Sequence, residues 1–179
     1  GGLLGVFIYE YKRLAAPVMV VVNFLYTIPS ISMLGLLLYV SGVGNTTAII
    51  ALVIYALLPM VRNTFTGLNQ IDKAMCEAGI ALGLTRIQRL WNIEIPLAMP
   101  TIMAGIRTML VMTIALTGIA SFIGAGGLGV AIYRGITTNQ SALTIAGSLL
   151  IALLAITVDA LFSLGERVTR ISPHMKRYT

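Results

Sequence analysis

Charge is what this sequence has least of. Its 179 residues include 12 Lys and Arg and 6 Asp and Glu, so 10% are charged, against about a quarter in soluble domains. Cysteine occurs once, at Cys76, which excludes an internal disulfide and any multi-cysteine metal site. Histidine also occurs once, as His174 in the tail, so no Ser/His pair or histidine-rich metal set can form within the apolar runs. No Gly is followed by Lys, which rules out the G-x-x-x-x-G-K-[ST] phosphate cradle and ATP hydrolysis by that route. Aromatic residues make up only 7%, too few for an obvious cage around a cation. What fills the chain is apolar: 58% hydrophobic residues and a mean hydropathy of +0.94. This excludes an ordinary soluble domain and points to an all-α, polytopic membrane protein.

The apolar runs set the expected topology. Residues 1–9 are apolar, but at 1.5 Å per residue they reach less than half of a hydrocarbon core about 30 Å thick. They lack a basic leader and a cleavage site, and are read as the end of a truncated first span. Glu10, Lys12 and Arg13 mark a water-facing turn, and no charged residue follows until Arg62. That interval suits two spans, 14–40 and 46–61, divided by the glycine-rich turn at 41–45. A helix over 97–107 should lead into a crossing at 108–122. The glycine-rich stretch 124–129 then forms a turn, either a gate, part of a binding-protein seat or a plain connection, and the last span runs over 142–164.

Basic residues favour the cytoplasmic side of short loops. With the 77–96 segment in the cytoplasm, Lys12, Arg13, Arg62, Lys73, Arg86, Arg89, Arg107, Arg167, Arg170, Lys176 and Arg177 all fall on that side, and only Arg134 lies outside. Scattered in this way, the formal charge of +6 follows topology; a nucleic-acid binder would cluster it on one face among aromatics. Trp91 and Tyr133 read as interfacial anchors. One domain over 1–179 is expected, with no internal repeat.

The polar segment EAGIALGLTRIQRLWNIEIP, 77–96, stands apart. Asp72 is placed to cap a short helix on an amide near Met75. Gly83 allows a tight bend, Thr85 and Gln88 form a capping box for a second helix, and Pro96 is expected to end it. The result is an elbow whose small residues Ala78, Gly79 and Gly83 permit close approach by another backbone, with Cys76 as a small apolar residue inside it.

Glu77-Ala78-Gly79, Gly83, Ile93 and Ile95-Pro96 resemble the cytoplasmic loop of the integral-membrane subunits of ATP-binding-cassette importers. That loop reads Glu-Ala-Ala, three residues, Gly, nine residues, Ile, one residue, Leu-Pro; Gly79 replaces the third alanine and Ile95 the leucine. Tyr26-Thr27-Ile28-Pro29-Ser30, Leu57-Leu58-Pro59-Met60-Val61-Arg62-Asn63-Thr64, Met103-Ala104-Gly105-Ile106-Arg107-Thr108 and Phe122-Ile123-Gly124-Ala125-Gly126-Gly127-Leu128-Gly129 are similar to the branch that imports glycine betaine, choline, carnitine and related quaternary amines.

The resemblance implies about five spans of the type I importer permease fold and a prokaryotic inner or plasma membrane location, with the C-terminus cytoplasmic. It implies a second permease subunit, a homodimer being favoured, and an extracytoplasmic substrate-binding protein or fused domain. It also implies separate ATPase subunits that hold ATP and Mg, with no cofactor in this chain. Glu77, Ala78, Gly79, Gly83, Leu84 and Thr85 would form the ATPase-coupling surface. Some relatives carry other betaine-like solutes such as ergothioneine.

Pro29 removes a backbone hydrogen bond within a span and should free carbonyls near Leu25 and Tyr26. With Asn23, Tyr26, Thr27 and Ser30 it makes a polar, broken segment, which either lines a translocation pathway or is a kink repaired by neighbouring helices. Thr113, Thr117 and Ser121 share one helix face. Such small polar residues serve close packing or, in the alternative, Thr117 and Ser121 line the pathway. Asp159 is the one acid within a span; an ion pair with Arg167, snorkelling or proton coupling are its readings. Outside the transporter class, an intramembrane enzyme would need a second acid or a Ser/His pair, and a channel would have no use for the elbow.

Overall fold

The computed structural model describes the backbone of residues 1–170 and the side chains of residues 1–164. The side chains of Arg167 and Arg170, and the tail with His174, Lys176 and Arg177, lie outside the described residues. Among the described residues the chain is helical throughout: α1 Gly2–Glu10, α2 Lys12–Thr27, α3 Ser30–Ser41, α4 Asn45–Asn69, α5 Lys73–Ala81, α6 Arg86–Arg89, α7 Ile95–Ala120, α8 Gly129–Thr137 and α9 Ser141–Arg170.

Among the described residues, three segments are long and apolar enough to cross a membrane: Asn45–Asn69, Arg86–Ile123 and Ser141–Leu164. Helices α2 and α3 together make a fourth crossing if their bent pair counts as one span. Here the structure corrects the expected single span over 14–40, because the two helices meet at 97°. Two backbone effects produce the bend. Pro29 has no N–H for the Leu25 carbonyl, and Ile28 is forced to extended geometry (φ −66°, ψ 124°), as residues before proline generally are.

The centre of the molecule is the antiparallel pair α4 and α7, against which α1, α2, α3 and α9 lie. Water is absent from a bilayer core, so helices gain little from hydrophobic burial there and associate through close backbone contact at small residues. Gly105 provides such a contact: a Cβ at that position would stand 2.6 Å from Asn63 Cβ and 3.2 Å from the Pro59 carbonyl. Two buried clusters cap the pair at its ends. Met33, Leu34, Ala48, Ala51, Tyr55, Ala120 and Ile123 form one, and Leu68, Leu90 and Ala98 the other. The outer face of α9 stays uncovered at Leu149, Leu153 and Ile156, as suits a surface solvated by lipid.

At the end opposite the elbow, the loops 42–44 and 124–128 are joined. Gly44 N–H donates to the Ile123 carbonyl at 3.0 Å, and Gly126 N–H donates to Asn45 Oδ1 at 2.9 Å. The glycine-rich stretch is therefore an ordered turn tied to the start of α4. Arg107 and Asp159 link α7 to α9, with Arg107 Nη2 2.6 Å from Asp159 Oδ2. The ion pair expected of Asp159 is present, but through Arg107 on the neighbouring helix.

Candidate functional site

The elbow begins where α4 ends. Asp72 accepts from the Ala74 amide at 3.0 Å, one residue earlier than expected, and starts α5. That helix closes in a Schellman turn: Leu84 N–H donates to the Gly79 carbonyl at 3.1 Å and Gly83 N–H to the Ile80 carbonyl at 2.9 Å. Such a turn requires a left-handed residue, which favours glycine, and Gly83 has φ +76°. The capping box then opens α6 as expected. Thr85 N–H donates to Gln88 Oε1 at 2.9 Å, and Gln88 N–H to Thr85 Oγ1 at 3.4 Å.

The expected stop at Pro96 does not occur. A turn of π-helix over Leu90–Glu94 carries α6 directly into α7, and Pro96 sits in the first turn of α7. Inside a continuous helix a proline leaves one carbonyl without a donor and crowds the preceding turn; here the preceding turn is the π turn, where the regular ladder is already interrupted. The second arm of the elbow is thus continuous with a transmembrane helix.

Gly79 is buried, and a Cβ on it would lie 2.9 Å from Ile93 Cδ1 and 3.4 Å from Arg89 Cδ. Its lack of a side chain allows the two arms to pack together. Leu84 is half-buried in the same turn, whereas Glu77, Ala78, Gly83 and Thr85 face outward. Nothing lies within 4 Å of a Cβ built on Gly83. Around these small residues, Met75, Ile80, Leu82 and Ile87 are also exposed, Leu82 by 79% and Ile87 by 71%. Sequence reasoning missed them because each looks like an ordinary core residue of a short amphipathic helix; the lack of any element to cover them was the available signal.

Also missed was the network that holds the elbow. Glu94 is completely buried, and its Oε1 accepts from Arg86 Nη1 and, at 2.9 Å, from Arg89 Nε. Arg86 reaches the other way to α1, its Nε 3.0 Å from Glu10 Oε2, and its guanidinium lies 5.4 Å from the centre of the Tyr9 ring. Arg86 therefore bridges α1 and the root of α7. A buried carboxylate is tolerated when it is paired and hydrogen-bonded; the two arginines do this through Oε1, while the buried Oε2 has no hydrogen-bond partner.

Cys76 lies beside this cluster, its Sγ 3.8 Å from Glu94 Oε1. Burial, with the Glu94 carboxylate adding to it, pushes the thiol above its ordinary value. The thiolate is the reactive form, so alkylation of Cys76 by a maleimide at pH 7 should be slower than that of a free thiol and should still be accelerating above pH 9. Mass spectrometry of timed aliquots checks this; a rate matching glutathione at pH 7 would contradict it.

The residues read as pathway candidates fall in two places. Around the α2–α3 break, Pro29 caps α3, and Ser30 lines a small cavity with Tyr55, Leu116 and Ala120. Thr27 Oγ1 donates to the Phe24 carbonyl at 2.7 Å, Tyr26 packs edge-on to Tyr55, and Asn23 is exposed. On α7 the hydroxyls turn back on their own helix. Thr113 donates to Met109 O at 2.7 Å, Thr117 to Ile114 O at 2.6 Å and Ser121 to Gly118 O at 2.9 Å. The start of α8 packs onto this stretch, since a Cβ on Gly129 would come within 2.7 Å of the Thr117 carbonyl. This favours close packing for the Thr113–Thr117–Ser121 face.

Comparison with known proteins agrees with this architecture. The model of the family "Binding-protein-dependent transport system inner membrane component" matches residues 1–170. The glycine betaine/carnitine/choline transport system permease protein OpuCD of Bacillus subtilis is 45% identical over 175 residues, covering 97% of this chain and 76% of that protein. The ergothioneine transport permease/ergothioneine binding protein EgtU of Helicobacter pylori is 42% identical over 166 residues, 93% of this chain but 30% of that longer protein. Among solved structures, an inward-facing form of the MetNI methionine ABC transporter superposes with a TM-score of 0.82 at 22% identity, covering 94% of this chain and 85% of that one. That likeness establishes the type I importer permease fold, and the sequence matches establish membership: the chain belongs to the family of binding-protein-dependent transport system inner membrane components.

Proposed function

We propose that this chain is the permease subunit of an ATP-driven importer for small quaternary-amine osmoprotectants such as glycine betaine, choline or carnitine. A separate ATPase, which carries the ATP and Mg, docks on the elbow around Glu77, Ala78, Gly83, Thr85 and the exposed Ile80 and Leu82. An extracytoplasmic binding protein or domain delivers the solute, a second permease subunit (a second copy of this chain being favoured) completes the pathway, and the elbow faces the cytoplasm. The observation that carries the coupling role is the continuity of the elbow with α7. A partner can shift a membrane equilibrium only through contacts that differ between its own states, and an arm fused to a spanning helix passes such contacts on. The solute class is supported by relatives at 39–45% identity whose names specify choline, carnitine and glycine betaine transport.

The test is reconstitution of the permease with its ATPase and binding protein in proteoliposomes, with Ala78→Cys paired to single-cysteine ATPase variants. ATP-dependent uptake of radiolabelled choline or glycine betaine is expected, together with a disulfide crosslink at position 78. Intact uptake with no crosslink from any ATPase position would remove the docking assignment, and uptake independent of ATP would remove the coupling.

A further inference from the structure

From the geometry of the broken span we infer a second function for the α2–α3 break: a transient cation subsite, built for a quaternary ammonium, on the face of Tyr26. The inference rests on the proposed transport of such solutes. The break sits at depth. Tyr55, packed against it, is about 15 Å along α4 from Asn45 at 1.5 Å per residue, near the middle of a core about 30 Å thick. The rings of Tyr26 and Tyr55 stand 6.0 Å apart at 65°, and both hydroxyls are occupied. Tyr55 donates to the Ile28 carbonyl, and Tyr26 lies 3.4 Å from Met112 Sδ. Each ring is thereby held in orientation, with Tyr55 buried and Tyr26 38% exposed.

Two helix ends meet at the break: the C-terminal end of α2 at Thr27 carries partial negative charge on its free carbonyls and the N-terminal end of α3 at Ser30 the opposite sign, so the backbone's favourable share comes from the α2 carbonyls alone. Because Pro29 has no N–H, the Leu25 carbonyl has no helical donor four residues on. No full charge is nearby in sequence, since residues 14–61 contain none.

That combination selects for a particular chemistry. A trimethylammonium group has no N–H to donate, so hydrogen-bonding side chains cannot distinguish it. A carboxylate would hold it strongly, and a site on a transport path must release its occupant. Aromatic faces and carbonyl dipoles stabilise a soft cation without a buried counter-ion. Broken helices near mid-membrane are used in this way in other transport folds, where their ends and unwound carbonyls hold charged groups. Tyr26 supplies the accessible face, Tyr55 fixes its tilt and seals the rear.

The experiment uses the complete transporter with its ATPase and binding protein in proteoliposomes. Phenylalanine and its mono-, di- and trifluoro derivatives are inserted at position 26; fluorine drains the ring face of negative potential with little change in shape. Choline and glycine betaine uptake should fall stepwise across the series, roughly tenfold in all, while ATP hydrolysis stimulated by the loaded binding protein is retained. Tyr26→Phe, which keeps the ring face and removes only the hydroxyl, is the reference for the series. Flat uptake across the fluorinated series would overturn the subsite. So would Tyr26→Phe losing as much as the trifluoro form, which would make the Met112 contact the cause. If the unaltered complex takes up neither solute, the transport assignment fails instead.

Discussion

Glu94→Ala should be the most destabilising single substitution in the elbow. The carboxylate is fully buried and is shared by Arg86 and Arg89. Its removal brings two guanidinium groups together with no anion between them. Breaking a buried pair from one side costs about 3–5 kcal/mol; the lower end applies, because 38% of the Arg86 side chain is exposed and it keeps Glu10. The effect should spread beyond the pair, since Arg86 joins α1 to the root of α7 and loses half of that bridge. A fall of at least ~5 °C in the melting temperature of the detergent-purified transporter is expected. Glu94→Gln retains the shape and one acceptor and should lie between the two. Replacing the whole trio, with Arg86→Met, Arg89→Met and Glu94→Leu, should be milder than Glu94→Ala, because apolar residues need no counter-charge and the Glu10 side chain left over is 28% exposed. A melting temperature for Glu94→Ala within a degree of the parent would show that the network carries no stability.

Gly83→Trp should abolish transport with the protein still in the membrane. Gly83 holds the left-handed position that closes α5 (φ +76°), and any L-residue there costs roughly 1–2 kcal/mol. That cost alone does not explain a loss of function, and Gly83→Asn isolates it, since asparagine is the best tolerated substitute in this conformation. The indole differs in what it does outside the chain. Nothing of this chain lies within 4 Å of the new Cβ, so the ring stands clear, beside Ala78 and Leu82, on the proposed docking surface. Uptake by the Trp variant should drop more than tenfold at near-normal membrane abundance, and the Asn variant should keep most of it. Equal losses in both would point to the turn itself; normal uptake in the Trp variant would mean that no partner binds there.

Local features of the elbow were legible residue by residue. Asp72, Gly83 and the Thr85–Gln88 pair act within three or four positions of themselves, and their signals are backbone chemistry written in adjacent residues. Pro96 misled for the same reason. Its local meaning is a helix stop, and only the π turn over Leu90–Glu94, an irregularity without a sequence mark, lets the helix run on through it. Glu94 read as a spacer between Ile93 and Ile95 because its partners, Arg86 and through it Glu10, lie 8 and 84 positions away along the chain.

The sequence by itself determined the helical class, the positions of the apolar runs, the elbow and the family resemblance, because hydrophobic length, caps and breakers are properties of neighbouring residues. The tertiary structure alone decided what those pieces face. It turned one long apolar run into two helices at 97°, paired Asp159 with Arg107 across two helices, and brought Tyr26 to Tyr55. It also covered Gly79 with Ile93 and left Leu82 bare. Contacts between residues far apart in the chain depend on how whole helices dock. Within a bilayer that docking follows from shape and small-residue packing, for which composition and periodicity carry almost no signal.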